Sequence, residues 1–257
     1  MSRPTVLTVA GVDSSGGAGV AADLKTFEAH GLWGSCAVTA VTAQSAAAVD
    51  GVWPLPPEAV VAQVEAVVRA GPVAAAKTGM LATAEIVRAM VEVAPSPLVV
   101  DPVLVSSSGA VLLADASSLA DLVARATVVT PNLAEAAALT GLEVGDRPSM
   151  VAAARALLEL GAHVVMVTGG HVADDGAAAD VVVGPDGEPV WLEGPRLETP
   201  HTHGTGCVLS AALAAELARG MEPVDACVAA KQFTARAIAA GAGGAVDPGW
   251  ERRGQGT

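Results

Sequence analysis

The 257 residues carry a formal net charge of −13, with hydrophobic residues at 52% and charged residues at 16%. That composition excludes a disordered chain, and the acidic balance excludes broad nucleic-acid binding, which needs a basic surface. It still allows an anionic ligand at a locally positive site. No uncharged apolar run reaches the roughly 18 residues of a membrane span. Residues Met1–Val9 lack a basic region followed by a long apolar core, so no signal peptide is read and a cytoplasmic protein is expected. Cys36, Cys207 and Cys227 show no metal-like spacing and suit a reducing compartment.

Apolar runs of strand length alternate with segments of helical period. Strands are expected at Val6–Ala10, Cys36–Ala43, Val73–Thr78, Leu98–Val103, Thr127–Thr130 and Val164–Thr168. Helices are expected between them at Ala18–Ala29, Pro57–Ala70, Thr83–Val93, Asp115–Ala124, Leu133–Leu139 and Ser149–Leu160. This alternation predicts an α/β fold with a mostly parallel central sheet flanked by helices on both faces. Val181–Gly184 and Val190–Leu192 flank an Asp-Gly pair and read as a hairpin. Two long helices, Thr205–Ala218 and Pro223–Ala240, follow, and the Gly-rich tail 241–257 is expected to be loose. Without an internal repeat or a low-complexity linker, residues 1–257 read as one domain.

Three segments at expected strand ends can carry chemistry. The first, Gly11-Val12-Asp13-Ser14-Ser15-Gly16-Gly17-Ala18-Gly19, opens the first helix. Ligands in open α/β sheets bind at that edge, and glycines let them approach the backbone; an ordinary βα turn is the alternative. Gly17-Ala18-Gly19-Val20-Ala21-Ala22 imitates a dinucleotide fingerprint, but it lies too far beyond the strand, and Gln44 stands where an acidic residue is required. No Walker A lysine follows the glycines.

The second segment, Thr199-Pro200-His201-Thr202-His203-Gly204-Thr205-Gly206-Cys207, runs straight into an apolar helix. Gly204 and Gly206 free the backbone to point N–H groups into one cavity, and the helix N-terminus adds partial positive charge. This is an anion hole suited to a transferred phosphoryl group, with Thr205 on its nucleotide side. In the first helical turn the Cys207 thiol is expected to be biased toward thiolate and to serve as the base for a substrate hydroxyl. Packing is its other role. For His201 and His203, hydrogen bonds supporting the loop are expected, since a metal pair lacks a third ligand.

The third segment is Thr130-Pro131-Asn132-Leu133-Ala134-Glu135. Asn132 and Glu135 can cap the following helix, or lie near nucleotide phosphates and orient Mg²⁺ through water. Asp101 adds a carboxylate at the same edge, and Thr168 and Gly170 can line a nucleotide pocket.

In this order, Ala10–Gly19 with Ala22-Asp23-Leu24-Lys25-Thr26-Phe27, Thr42-Ala43-Gln44, Lys77-Thr78-Gly79-Met80-Leu81, Asp101-Pro102-Val103, Thr130–Ala136 and His203-Gly204-Thr205-Gly206-Cys207 resemble the hydroxymethylpyrimidine/phosphomethylpyrimidine kinases. The resemblance implies a ribokinase-like fold, ATP as co-substrate, Mg²⁺ as cofactor and a homodimer; composition and hydropathy already argue against nucleic-acid and membrane partners. It puts Gly11, Asp13, Asp23, Gln44 and Met80 on the pyrimidine side, and Cys207 where many relatives carry an aspartate base. An aminopyrimidine offers a ring acceptor beside an amino donor, which the Gln44 carboxamide can match. Two departures stand out: Ser106-Ser107-Ser108 and Thr168 occupy places where family members often carry lysine; Lys231 on the last helix either reaches the site in their stead or lies at the surface. The implied activity is phosphorylation of the pyrimidine and then of its monophosphate in thiamine synthesis. Pyridoxal kinase activity, or non-catalytic binding of a vitamin precursor on the same fold, is the alternative.

Overall fold

The computed structural model describes residues 3–106, 109–113, 115–170 and 177–250. Ser107, Ser108, His171 and the end of the tail, Glu251–Thr257, lie outside the described residues.

Nine strands form one sheet in the order β3-β2-β1-β4-β5-β6-β7-β8-β9. They are β1 (Thr5–Asp13), β2 (Trp33–Gln44), β3 (Val49–Pro54), β4 (Val73–Thr78), β5 (Leu98–Val100), β6 (Val128–Val129), β7 (Val164–Val167), β8 (Ala177–Val183) and β9 (Pro189–Pro195). The six strands from β2 to β7 pair in parallel, while β3, β8 and β9 pair antiparallel at the two margins. Helices α1 (Gly19–Ala29), α7 (Thr205–Ala218) and α8 (Pro223–Ala239) cover one face. Helices α2 (Pro57–Ala70), α3 (Ala84–Val93), α5 (Leu133–Thr140) and α6 (Arg147–Glu159) cover the other, with the short α4 (Ala120–Val123). The predicted α/β architecture is therefore the observed one. β4 to β7 are buried on both faces, which is why their sequences are almost purely Val, Ala and Leu.

Several boundaries moved for local reasons. β5 ends at Val100 rather than Val103: Pro102 has no N–H to give, and Val103 N turns back to donate to Asp101 O. The expected helix Asp115–Ala124 is a 3₁₀ turn (Ala116–Leu119) followed by α4. α6 starts early because Asp146 and Ser149 form a capping box ahead of Pro148. β3 was not foreseen; its Asp50-Gly51 and Pro54 are poor strand formers that an edge strand tolerates. The tail is a correction. Residues 241–250 are tied down, with Asp247 N donating to Ala237 O, Val246 N to His203 O and Gly244 N to His201 Nδ1.

Parallel pairing puts the carboxyl ends of β1, β4, β5, β6 and β7 on one edge. The chain passes from β1 to β2 on one side, then returns to β4 on the other, so a crevice opens between β1 and β4 at that edge.

Candidate active site

Two glycine loops meet above this crevice. Gly204 has φ +84°, and a Cβ there would lie 1.9 Å from Gly17 O; a Cβ on Gly17 would lie 2.6 Å from the His203 ring. Only glycine permits this contact. Asp13, at the end of β1, binds the loops together. Its Oδ2 accepts from Ser15 Oγ (2.8 Å), Ala18 N (2.9 Å), Gly17 N (3.2 Å) and His203 Nε2 (2.8 Å). Burial opposes ionisation, but the bonds from His203 and Ser15 hold its carboxyl below the usual range. Asp13, expected on the pyrimidine side, is thus largely satisfied by its own loops, and His203 has the supporting role foreseen for it.

The start of α7 is open. Gly204 supplies no side-chain cap, and no acidic residue lies in the first turn. Thr205 Oγ1 donates back to Thr202 O (2.7 Å). The first-turn N–H groups of Gly206 and Cys207 have no partner within the helix, as at any helix start, and Gly206 is exposed. Gly19 N at the start of α1 donates to Cys207 Sγ (3.4 Å).

A buried charged row lies beneath Cys207. On β4, Lys77 shares a face with Ala75, under α1 and α7, and is fully buried. Lys77 Nζ donates to Asp23 Oδ1 on α1 (2.9 Å) and lies 3.8 Å from Asp101 Oδ2. Thr8 Oγ1 donates to Asp23 Oδ2 (2.6 Å), and Ser210 Oγ on α7 to Asp101 Oδ2 (2.8 Å). Burial would lower the Lys77 pKa, yet Asp23 and its neighbours hold the ammonium above the usual lysine range. Burial raises both Asp23 and Asp101 despite Lys77. The same burial, reinforced by Asp23 and Asp101 and only partly countered by Lys77, pushes the Cys207 thiol up to about 12. This overturns the thiolate bias expected at a helix start: desolvation and two carboxylates outweigh the helix dipole.

Glu135 completes the capping box. Its Oε2 accepts from Asn132 N (2.9 Å), and Asn132 Oδ1 accepts from Glu135 N (2.9 Å). Burial and then the charge of Asp101 push its carboxyl up to about 8, against hydrogen bonds from the backbone of Asn132 and Leu104. Thr168 follows β7 and donates its N–H to Pro131 O (2.9 Å), so the 130–135 and 168–170 segments adjoin, with Gly170 beside them. Lys231 does not stand free for a phosphate: it pairs with the buried Asp180 (2.7 Å), which accepts from Gly169 N (2.9 Å).

On the far side of the crevice, Met80 packs with Ala40 and Leu112, against Val52 and Val103. A Cβ on Gly11 would touch Met80 Sδ at 3.0 Å, so Gly11 makes room for that side chain. Gln44 ends β2, half-buried, with Oε1 3.0 Å from Thr42 Oγ1, whose hydroxyl also reaches Val12 O (2.9 Å). One hydroxyl proton cannot serve both acceptors. With the amide turned, Nε2 donates to Thr42, leaving Oε1 and one N–H for a ligand.

The phosphomethylpyrimidine kinase family profile matches residues 13–249. The chain belongs to that family. It is 48% identical to a hydroxymethylpyrimidine/phosphomethylpyrimidine kinase of Streptomyces coelicolor, over 97% of this chain and 96% of that one. Among solved structures, it resembles the pyridoxal kinase of Staphylococcus aureus in complex with ADP, with a TM-score of 0.89 and 37% identity over 98% of this chain and 96% of that one. It also resembles the phosphomethylpyrimidine kinase of Clostridium difficile, with a TM-score of 0.79 and 36% identity over 92% of this chain and all of that one (100%).

Sequence reasoning missed what lies under this kinase site. Lys77 was read only as part of a strand end, and Ser210 and Thr8 not at all. A lysine and two aspartates spaced along otherwise apolar elements were the available signal. None of those elements shows by itself that the charges meet.

Proposed function

We propose that this chain transfers the γ-phosphoryl group of ATP to the hydroxyl of 4-amino-5-hydroxymethyl-2-methylpyrimidine, and then phosphorylates the monophosphate, in thiamine synthesis. The observation that carries the reading is the open start of α7 held against the first glycine loop at the crevice. The substrate hydroxyl oxygen bonds to the γ-phosphorus, the bond to the bridging oxygen breaks and ADP leaves. Gly204–Cys207 meets the developing charge on the phosphoryl oxygens, and positioning with electrostatics supplies most of the acceleration. Cys207 accepts the hydroxyl proton when its sulfur is ionised. Gly11, Gln44 and Met80 define the pyrimidine side; Asp13 and Asp23, expected there, are buried and bonded to the protein's own groups, so they support that side from behind. Asn132, Glu135, Thr168, Gly170 and Thr205 define the nucleotide side.

The donors at this edge suit Mg²⁺. Asp101 and Glu135 are hard oxygen donors, and the buried Thr130 hydroxyl beside them has no hydrogen-bond partner. Asp101 and Glu135 would hold the ion through water. When bound, Mg²⁺ neutralises phosphate charge. No described helix is long and apolar enough to cross a membrane. A cytoplasmic, single-domain homodimer completes the proposal.

Pyridoxal is the competing acceptor, because pyridoxal kinases share the fold closely. It lacks the paired ring nitrogen and amino group that Gln44 can read, and a site built for paired hydrogen bonds rejects a ligand that leaves them unmade. In competition assays with ATP, wild type should strongly prefer the hydroxymethylpyrimidine. Gln44→Met should lose most of that preference through weaker pyrimidine use. Preference for pyridoxal in wild type, or an unchanged ratio in the variant, overturns the assignment of Gln44.

A further inference from the structure

Lys77 is fully buried, and the phosphoryl transfer described above does not call on it. Its ammonium sits where two helices and two strands converge. From α1, Asp23 accepts its proton at 2.9 Å; Asp101, just past β5, lies at 3.8 Å. The same two helices hold Cys207. Gly19, one turn before Asp23 on α1, donates to Cys207 Sγ at 3.4 Å. Ser210, one turn after Cys207 on α7, donates to Asp101 at 2.8 Å. Asp23 is therefore one helical turn from the N–H that holds the sulfur, and Asp101 is bonded to Ser210, one helical turn from Cys207 itself. The charged groups acting on Cys207 are Lys77 from β4, Asp23 from α1 and Asp101 after β5, and Asp101 acts in turn on Glu135 of α5.

A lysine without solvent is costly unless its counterions are fixed, and it could be replaced by an apolar residue if packing were its purpose. Here one ammonium faces two carboxyl groups, one on the helix whose first N–H bonds the sulfur and one bonded to the helix that carries it. We propose that Lys77 is a positioning residue for Cys207: a fixed cation, locked by Asp23 and Asp101, that sets how readily the sulfur gives up and takes a proton during phosphoryl transfer. The proposal rests on the kinase reading for its purpose, but its electrostatic content can be measured without substrate.

The test is the rate of iodoacetamide alkylation at Cys207 in the ligand-free protein, resolved by peptide mass spectrometry, with Cys36 as the internal control for unfolding. Alkylation follows the thiolate fraction. At about pH 8, Lys77→Met should slow Cys207 by about tenfold or more, the equivalent of one pKa unit. Asp23→Asn, of nearly the same shape, should accelerate it by a similar factor. Both changes disturb the same ion pair, so a purely structural role would move both rates the same way. Opposite shifts at Cys207 with a steady Cys36 rate support the proposal. Shifts of the same sign, or no shift, overturn it. If Lys77→Met does not fold, acceleration in Asp23→Asn decides alone, and its absence overturns the proposal. In turnover, Lys77→Met should lower kcat at least about tenfold while pyrimidine KM stays within about threefold. A chain that proves not to phosphorylate pyrimidines would sink the kinase reading and leave the alkylation result standing.

Discussion

The starts of α5 and α7 stand at the same edge of the sheet and are finished in opposite ways. α5 is closed: Asn132 and Glu135 satisfy each other's backbone N–H in a capping box. α7 is open: its cap is Gly204 in a left-handed conformation, with no side chain bonded to the first turn. A side-chain cap is worth about 1 kcal/mol, so α7 forgoes a contribution that α5 takes. What α7 keeps is a set of N–H groups facing outward, and the same glycines bring the backbone of the first loop against it. α1, α2 and α8 also start without a side-chain cap, so what sets α7 apart is its place at this edge against the first glycine loop, where an anion can bind.

The largest effect expected from breaking this contrast is at Cys207. Cys207→Ala should lower kcat by about 10²-fold or more while leaving pyrimidine affinity nearly intact. Near-normal turnover in the folded variant would remove the thiol from the mechanism and leave the open helix start to act alone.

Gly206→Ala sharpens the contrast directly. A Cβ at Gly206 meets nothing within 4 Å, so the variant should fold, and a helical alanine should add up to about 1 kcal/mol. The methyl group would intrude on the space in front of the open turn, and kcat should fall by about 10²-fold. Raised thermal stability with lost turnover is the expected signature. Raised stability with full turnover would place the phosphoryl group elsewhere.

Glu135→Gln tests the closed start. Glutamine can keep the capping box, so the helix should persist. The apparent affinity for Mg·ATP should weaken more than that for the pyrimidine, measured by Mg²⁺ titration at fixed ATP. The variant also carries a pH signature. Folding raises this carboxyl from an ordinary 4.5 to about 8, so the folded chain favours its protonated form. Its contribution to stability is present below about pH 4.5 and is lost as pH rises through about 8. Glu135→Gln removes that loss, so its melting temperature relative to wild type should rise between about pH 5 and about pH 8.5. A flat difference would mean that Glu135 titrates normally.

The smallest effect is at Asn132. Asn132→Ala should cost about 1 kcal/mol, seen as a fall of about 2–4 °C in thermal unfolding. No loss of stability would mean that α5 is held by packing alone.

The sequence determined the layers. Runs such as Val164-Val165-Met166-Val167 have to be buried on both faces, and helical segments between them enforce parallel pairing, so the strand ends and their Gly, Asp and Asn residues fall on one edge. It also determined the two glycine loops, because the run from Gly204 to Cys207 opens an apolar helix, and the cap at Asn132, because capping is local chemistry. The electrostatics of Cys207 were decided only by the tertiary structure. Read locally, a thiol in a first helical turn should be acidified. In the fold, burial together with Asp23 from α1 and Asp101 after β5 pushes the thiol up to about 12, with Lys77 opposing them. The settling of the tail against His203 and the pairing of Lys231 with Asp180 belong to the same class. Helix starts and strand faces follow from neighbours within a few residues. Charge environments are set by groups more than fifty residues apart, as Asp23 and Lys77 are, and only packing brings those together.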